Sequence, residues 1–458
     1  MIIKNEIIYH NGNTYRLEDL HTIDFHKFSN EVAFKYFNNS YFVNELFINF
    51  IQNSLALEFF IDKNNIKEIT IKDASTFLNY YVCDIAKRQN ISLRGSKWFL
   101  KKGSTIKFHS QIISSFFYLL YLMIKIPYKK KPIESGKIAI IRTQSSKSKM
   151  TKININTVYE DLFIKDSMYS FFPLFKRIKW VFIALKDSYK HYRHIKKIMK
   201  FYLGINSKYL IQSFYGKRLV HTNLFKLLLD SYFKSNQFNV FYTGNNLDRF
   251  AVIEEELAAK YKLKLICIPH GLEYGFKFPK CYTGDIFYAT SIYAAKYFNN
   301  LYLTKKFIFD YEIIKTIFLK NIKSKEESKV VFFTEPREPW INFKIIKELL
   351  PFLKENNIKL YLKLHPKDIR KDYEIKGVEI LDDFNLSISN NICFARKSTI
   401  LLEALYNNSK PAAVLLNSKD KSMFFSFPSL QNNKIEQCLS IEEVGNWILN
   451  RIKETYEK

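Results

Sequence analysis

Between residues 330 and 452, short and almost wholly apolar runs alternate with longer amphipathic ones, and no other feature narrows the possible folds so far. Val330–Thr334, Lys359–Leu364, Val378–Leu381, Ile392–Ala395 and Ala412–Leu416 read as strands, and Phe343–Glu355, Thr399–Tyr406 and Ile441–Ile452 as helices. Strands that are apolar on both faces belong in a parallel sheet, because each crossover lays a helix over one face or the other. A second unit of this kind reads at Asn239–Ile268, where strand NVFYT ends at Gly244, a helix runs from Leu247 to Tyr261, and strand KLICI ends at Pro269. A strand at Asp285–Ala289 and a helix at Ile292–Phe298 follow it.

The earlier chain is less regular. Helical periodicity runs from His26 to Ile51, and Lys67–Ile71 and Asn90–Leu93 flank a helix through Arg88 as a first β-α-β unit. Lys137–Ile141 reads as a strand ending in a polar loop, Arg142–Lys149, and helices fill most of 158–236. The expected fold is therefore α/β, with two doubly wound parallel-sheet domains facing across a cleft. Lys323–Lys329 (KSKEESK) is wholly polar and is the expected hinge. It separates an N-terminal domain over 1–322 from a second over 330–440, with a closing helix over 441–458.

Charge is concentrated rather than spread. The 458 residues carry 71 Lys and Arg against 44 Asp and Glu, and residues 91–152 hold fourteen basic residues against the single acid Glu134. Residues 176–200 hold nine against Asp187 alone. Such a field calls for a polyanionic neighbour: a membrane surface, a nucleic acid or an acidic glycan. No interleaving of stacking aromatics and cations in a nucleic-acid module is visible, so nucleic acid is not the expected partner. The apolar run Ile112–Ile124 has 13 residues, whereas a spanning helix needs roughly 20. It reads equally as a buried helix or as one lying in the plane of a membrane, since Lys129–Lys131 follow it and Phe171–Ile183 repeats the mixture. A basic helical insertion over 97–131 and 171–200 is thus the expected contact with an anionic inner-membrane surface. The scattered cysteines without CxxC and an N-terminus without signal-peptide architecture set the expected location as cytoplasmic and peripheral to that membrane.

Open α/β sheets bind ligands beyond the carboxyl ends of their strands, so residues just after strands are the ones to weigh. Of the nine histidines only His270 and His365 lie beyond residue 221, and both directly follow an expected strand. Pro366 holds His365 extended; a plain turn histidine would look the same. Ser398 and Thr399 precede a helix bearing Glu403, where hydroxyls and free N–H groups form an anion site, although most such pairs only cap. Lys363, Lys367, Arg396 and Lys397 add positive charge. His270 and Glu273 in IPHGLEYG are general-base candidates, with a structural glycine turn as the equal alternative. Glu335 and Arg337 follow the strand at 330–334, so they too are expected at the cleft as donor phosphate or nucleotide contacts, and Asn245, Asn246 and Asp248, after the strand ending at Thr243, are acceptor-binding candidates or mere turn residues. No Walker A, GxGxxG or Asp-x-Asp pattern occurs, so no metal or bound cofactor is expected.

KLHPKD and RKSTILLEAL resemble the His-Pro and Ser-Ser/Ser-Thr motifs of bacterial GT-B glycosyltransferases that use CMP-activated sugars: the sialyl-, polysialyl- and Kdo transferases of capsule and lipopolysaccharide synthesis. The PHG turn is similar to that of teichoic-acid polyol-phosphate transferases, and the resemblance covers residues 239–420. It implies His365, with Pro366, on the donor phosphate and in reach of general-acid service, and Ser398 and Thr399 on that same phosphate. The acidic tripeptide that serves such transferases as base is missing, and His270 or Glu273 stands at the comparable strand end. The implied reaction is inverting and metal-independent, moving a nonulosonic acid or Kdo-like sugar from a CMP donor to a glycan or lipid-linked acceptor. A UDP-sugar transferase, with Glu403 on the ribose, or a CDP-polyol phosphotransferase is the alternative. A non-enzymatic basic lipid- or nucleic-acid-binding protein is the second.

Overall fold

A computed structural model describes every residue except 6, 23, 25–40, 74–77, 96–102, 131–133, 161–166, 204–219, 246–248, 270, 276, 278–281, 321–327, 457 and 458. It divides into two compact units, Met1–His270 with Lys277–Phe287, and Gly271–Phe276 with Tyr288–Lys458. These limits differ from the domain limits expected at 322 and 330, and the expected hinge falls, over 323–327, outside the described residues.

The first unit opens with strands β1 (Ile2–Lys4), β2 (Ile7–His10) and β3 (Asn13–Arg16), which sequence periodicity did not reveal. Asn11 and Gly12 both adopt positive φ, 47° and 77°, so their two-residue loop closes β2 onto β3 with His10 opposite Asn13. An Asn-Gly pair suits this hairpin turn because both central residues must be left-handed. Helix α1 (Tyr41–Lys63) leads to β4 (Glu68–Ile71), and α2 (Leu78–Gln89) to β5 (Ser92–Arg94). The expected first β-α-β unit therefore forms, with β4 and β5 parallel. It belongs to a separate five-stranded sheet in the order β3-β2-β1-β4-β5 and not to a doubly wound one.

Helix α3 (Gly103–Lys125) precedes β6 (Ser135–Ile141). After β6 the chain forms helix α4 (Gln144–Lys152), where a polar loop was expected. Thr143 caps it by accepting from the Ser146 N–H at 3.2 Å, and Met150 is its one buried residue. A helix made by capping and not by an apolar stripe leaves no periodic trace. Strand β7 (Thr157–Tyr159), helices α5 (Leu174–Leu203) and α6 (Val220–Lys234), strand β8 (Gln237–Thr243), helix α7 (Arg249–Lys260), β9 (Lys264–Cys267) and β10 (Ile286–Tyr288) complete the unit. Its strands run in the order β7-β6-β8-β9-β10, and the pairs are parallel.

The second unit begins with α8 (Ile292–Tyr302), the two-residue β11 (Phe307–Ile308) and α9 (Tyr311–Phe318). The alternation read from sequence then follows: β12 (Val330–Phe333), α10 (Pro339–Glu355), β13 (Leu360–Lys363), β14 (Val378–Ile380), α11 (Phe384–Ile388), β15 (Ile392–Ala395), α12 (Ile400–Tyr406), β16 (Lys410–Val414), α13 (Ser418–Phe425), β17 (Glu436–Cys438) and α14 (Ile441–Tyr456). The sheet is parallel throughout, in the order β14-β13-β12-β15-β16-β17. Successive strand residues face opposite sides. Val330, Phe332, Leu362 and Phe394 pack with Ile345 and Leu349 of α10 and Val444 and Ile448 of α14. Val331, Phe333, Cys393 and Ala395 pack with Leu401 and Leu402 of α12 and Phe424 of α13. Both faces are covered, so the expected α/β class with doubly wound parallel sheets is the fold the chain adopts.

One buried amide holds the amino end of this sheet. Asn391 accepts from Lys329 N–H at 2.9 Å and donates to the Leu386 and Ser387 carbonyls at 2.8 and 3.0 Å. Asn391→Ala would leave these backbone groups without their side-chain partner, and urea denaturation is expected to show a loss of about 1–3 kcal/mol. Because the site lies at the other end of the strands, ligand binding by the folded fraction should be unchanged.

Candidate functional site

Strand β12 is the first in sequence of the second unit's parallel sheet and sits in its middle. From it the chain winds outward through β13 and β14, then crosses back to β15 and winds the other way. The crossovers on either side of β12 and β15 therefore diverge at their carboxyl ends, which leaves the crevice where such sheets bind ligands. Thr334 and Glu335 follow β12, His365 follows β13, and Arg396 to Thr399 follow β15, so these residues lie along one strand-end edge of the sheet.

His365 sits on a tight turn with Pro366 at its second position, the Asp368 N–H bonding to the His365 carbonyl at 2.9 Å. Thr334 locks the turn to β12. Its hydroxyl accepts from His365 N–H at 3.0 Å and donates to Asp368 Oδ2 at 2.5 Å. Lys367 N–H donates to His365 Nδ1 at 3.1 Å. With Nδ1 used as acceptor, the neutral ring carries its proton on Nε2, and the residue is exposed to solvent. The turn thus presents an oriented N–H donor at the strand end.

Arg396 and Lys397, expected to add positive charge near a ligand phosphate, turn inward. Arg396 is fully buried and makes a two-point bond with Asp420, Nε to Oδ2 at 2.8 Å and Nη2 to Oδ1 at 3.0 Å. It also donates to the Arg337 carbonyl at 2.7 Å and the Glu338 carbonyl at 3.3 Å. Lys397 reaches Asp420 at 2.5 Å, and Lys419 reaches Glu338 at 3.2 Å. Burial works to raise the Asp420 carboxyl, and the hydrogen bonds and charges of Arg396 and Lys397 outweigh it, so that it titrates below its ordinary value. Three cations here face two carboxylates, which leaves the cluster electropositive. Glu338 takes a left-handed backbone, φ 53°, uncommon for a residue with a Cβ and held by these bonds. Nothing in sequence spacing joins Glu338, Arg396 and Asp420. Lys363 is likewise committed, to the carbonyls of Leu381 and Asp382.

The Ser-Thr pair also differs from expectation. Helix α12 starts at Ile400, Thr399 makes no side-chain cap, and Ser398 Oγ accepts from the Ile400 N–H at 3.3 Å. Ser398 is half-buried and Thr399 exposed, so both hydroxyls remain at the strand end. Glu403 lies 3.9 Å from Lys320. Glu335 and Arg337 are half-buried in the loop that buried Asn342 fixes by donating to the Glu335 carbonyl at 2.7 Å.

His270 lies outside the described residues. Glu273 does not stand open as a general base must: it is 1% exposed and accepts from Thr290 N–H at 3.3 Å and Thr290 Oγ1 at 2.9 Å. Thr290 bonds onward to Ser429. The same short segment is clamped at Gly275, whose N–H bonds to the Ser426 carbonyl at 2.5 Å; a Cβ at Gly275 would stand 3.0 Å from that oxygen and 3.1 Å from Pro428. Glu273 is therefore an anchor for its segment. Burial pushes its carboxyl up to about 7, against the hydrogen bonds from Thr290 and Ser429.

In the first unit, Asn245 is knotted into its surroundings. It accepts from Arg142 at 2.6 Å and donates to Glu254 at 2.8 Å, while Thr243 donates to the other Glu254 oxygen at 2.5 Å. The Arg142 guanidinium lies 3.4 Å from the Phe250 ring centre. These contacts bind the ends of β6 and β8 together, a structural task, and Asn246 and Asp248 lie outside the described residues.

No family model matches the chain, and no curated protein matches it. Among solved structures it is similar to a UDP-GlcNAc 2-epimerase from Methanocaldococcus jannaschii in complex with UDP-GlcNAc and UDP, at 10% identity over 69% of this chain and 92% of that one, TM-score 0.37. It is also similar to the UDP-GlcNAc 2-epimerase from Neisseria meningitidis bound to UDP-GlcNAc, at 9% identity over 71% and 93%, TM-score 0.39. The glycosyltransferase SnogD from Streptomyces nogalater is a third, at 8% identity over 64% and 85%, TM-score 0.33.

The Glu273 anchor has a pH signature. A carboxyl whose folded-state value is raised binds its proton more tightly when folded. Its contribution is fully present below the ordinary 4.5 and is lost as pH rises through about 7. The loss is of order 3 kcal/mol. Melting temperatures measured from pH 5 to 8 should fall for the native protein by an amount absent from Glu273→Gln; parallel curves would remove the buried carboxyl from this account.

Proposed function

We propose that this chain is an inverting, metal-independent GT-B glycosyltransferase that moves a nonulosonic acid or Kdo-like sugar from its CMP donor to a hydroxyl of a surface glycan. The observation that carries the reading is the convergence of His365, Ser398 and Thr399 on the strand-end edge of a parallel sheet, at the reversal between β12 and β15. The buried electropositive cluster behind them favours an anion there, and phosphate is the anion that imidazole N–H and two hydroxyls fit.

In this mechanism the acceptor oxygen attacks the anomeric carbon as the bond from that carbon to the phosphate oxygen breaks. CMP departs with the electron pair. Negative charge grows on the departing phosphate, and the His365 Nε2–H meets it as hydrogen-bond donor, with the Ser398 and Thr399 hydroxyls on the remaining oxygens. In this reading hydrogen-bond donors of the protein meet the leaving phosphate, and no metal is called for. The proton lost by the acceptor is assigned to His270, since Glu273 is buried and acts as a positioning residue for the segment that follows His270. The UDP alternative would need the Glu403 carboxylate, which lies 3.9 Å from Lys320, on a ribose.

Thermal-shift titration with CMP, CDP, UMP, UDP and ADP, with and without magnesium, tests the donor. Ligand at 100 times its Kd stabilises by about 2.7 kcal/mol, and the expected result is a response selective for CMP that does not need magnesium. A preference for UDP would move the assignment to the other donor class. His365→Ala should lower CMP release from the sugar donor by at least about 10²-fold with an unchanged melting temperature. Full turnover in that variant would remove His365 from the chemistry.

A further inference from the structure

Away from the strand-end site, helices α3 and α5 expose a row of large apolar side chains. On α3, Ile113, Phe117, Tyr121 and Ile124 are spaced four, four and three residues apart and so share one side of the helix. They are 58, 63, 53 and 60% exposed. On α5, Phe175 and Phe182 recur at seven residues and are 73 and 56% exposed. Phe116 joins the rows, its ring edge-on to Phe117 at 5.6 Å and to Phe182 at 6.4 Å. Nearly half of the large hydrophobic side chains exposed among the described residues belong to this helix pair and its immediate flanks. Monomeric soluble proteins seldom leave a contiguous apolar patch of this kind uncovered.

The pair is fixed from within. Leu122, Met123 and Ile126 pack into the same buried cluster as Trp180, Val181 and Ala184. The buried Arg177 of α5 donates to the Ile126 carbonyl at 2.9 Å, a cation at the carbonyl end of α3. Lys129 N–H donates to the Ser170 carbonyl at 2.8 Å. The outer side is therefore a built surface and not a frayed helix.

Cations border it. Lys179, Lys186 and Arg193 follow the seven-residue spacing of the phenylalanines, four residues displaced, which puts them on the same side of α5, and all three are exposed. Lys125 at the end of α3 lies 5.9 Å from the Tyr121 ring centre. No described helix is long and apolar enough to cross a membrane. An apolar strip flanked by lysines along a helix too polar to span is what an in-plane membrane helix requires. A second copy of the chain is the poorer occupant, because two such faces would set their cations against one another.

We propose that the α3–α5 pair seats the first unit on an anionic bilayer, with Phe117, Tyr121, Ile124, Phe175 and Phe182 at the boundary between headgroups and acyl chains and Lys179, Lys186 and Arg193 on the lipid phosphates. The proposal rests on this surface alone and is independent of the donor assigned above.

Flotation of the full-length protein with phosphatidylglycerol–phosphatidylcholine vesicles, against phosphatidylcholine alone, tests it. Binding is expected only to the anionic vesicles. Lys179→Glu/Lys186→Glu/Arg193→Glu should lower partitioning by about 10²-fold or more, and Phe117→Ser/Tyr121→Ser/Phe175→Ser by at least about tenfold. Since all six side chains are exposed, melting curves should stay close to the native one. Phe117→Trp supplies a reading without loss of apolar surface: its added emission should be quenched by brominated acyl chains. Flotation unchanged in either triple variant, or Phe117→Trp emission blind to bromolipid, overturns the proposal. So does a salt-sensitive affinity for polynucleotide in place of vesicles, or a homodimer that the aromatic triple variant dissociates while vesicles are ignored.

Discussion

A buried guanidinium between two carboxylates organises the strand-end edge of the second unit. Arg396 leaves the end of β15 and enters the protein, where it meets Asp420 at the start of α13 and the carbonyls that lead into α10. An ionised group without water is tolerable only if its charge and every hydrogen-bonding position are matched. That requirement fixes the loop carrying Arg337 and Glu338, holds Glu338 in its left-handed conformation, and sets the direction in which α13 departs. Removing one partner would leave the other charge buried and alone, so the cluster behaves as a unit.

The residues that could touch a ligand are placed by this arrangement without belonging to it. His365 is oriented by Thr334 and by the Lys367 N–H, and Ser398 and Thr399 follow directly on the buried Arg396 and Lys397. The strand ends carry a buried layer of charge and, next to it, the His365 ring and the Ser398 and Thr399 hydroxyls. Glu273 plays a similar part lower down, where its worth lies in fastening the 271–275 segment to Thr290 and Ser429 and not in meeting substrate.

Much of the second unit was legible because its strands are apolar on both faces and its helices have one apolar stripe. Val330–Phe333 and Ile392–Ala395 are buried at every position, and their spacing from α10 and α12 gave the order of elements closely. Where local bonding replaces burial, legibility fails. Helix α4 is made by its Thr143 cap, and the β2–β3 hairpin by two left-handed residues at Asn11-Gly12. That dipeptide between IIYH and NTYR is a turn signal, but strands of four residues have too few alternations to stand out.

The sequence by itself determined the α/β class, the crossover pattern of the second unit, the histidine and hydroxyl positions after strands, and the concentration of positive charge on two segments. These follow from periodicity, chain order and counting, which are one-dimensional quantities. Only the tertiary structure decided which charged side chains are spent inside the protein. Arg396 and Lys397 look like ligand contacts in RKST and are buried partners of Asp420; Glu273 looks like a base in HGLEYG and is an anchor. It also decided that Phe117 and Phe182, on helices far apart in the chain, share one exposed side. Burial and pairing arise from contacts between distant segments, and a residue's neighbours in sequence carry no record of them.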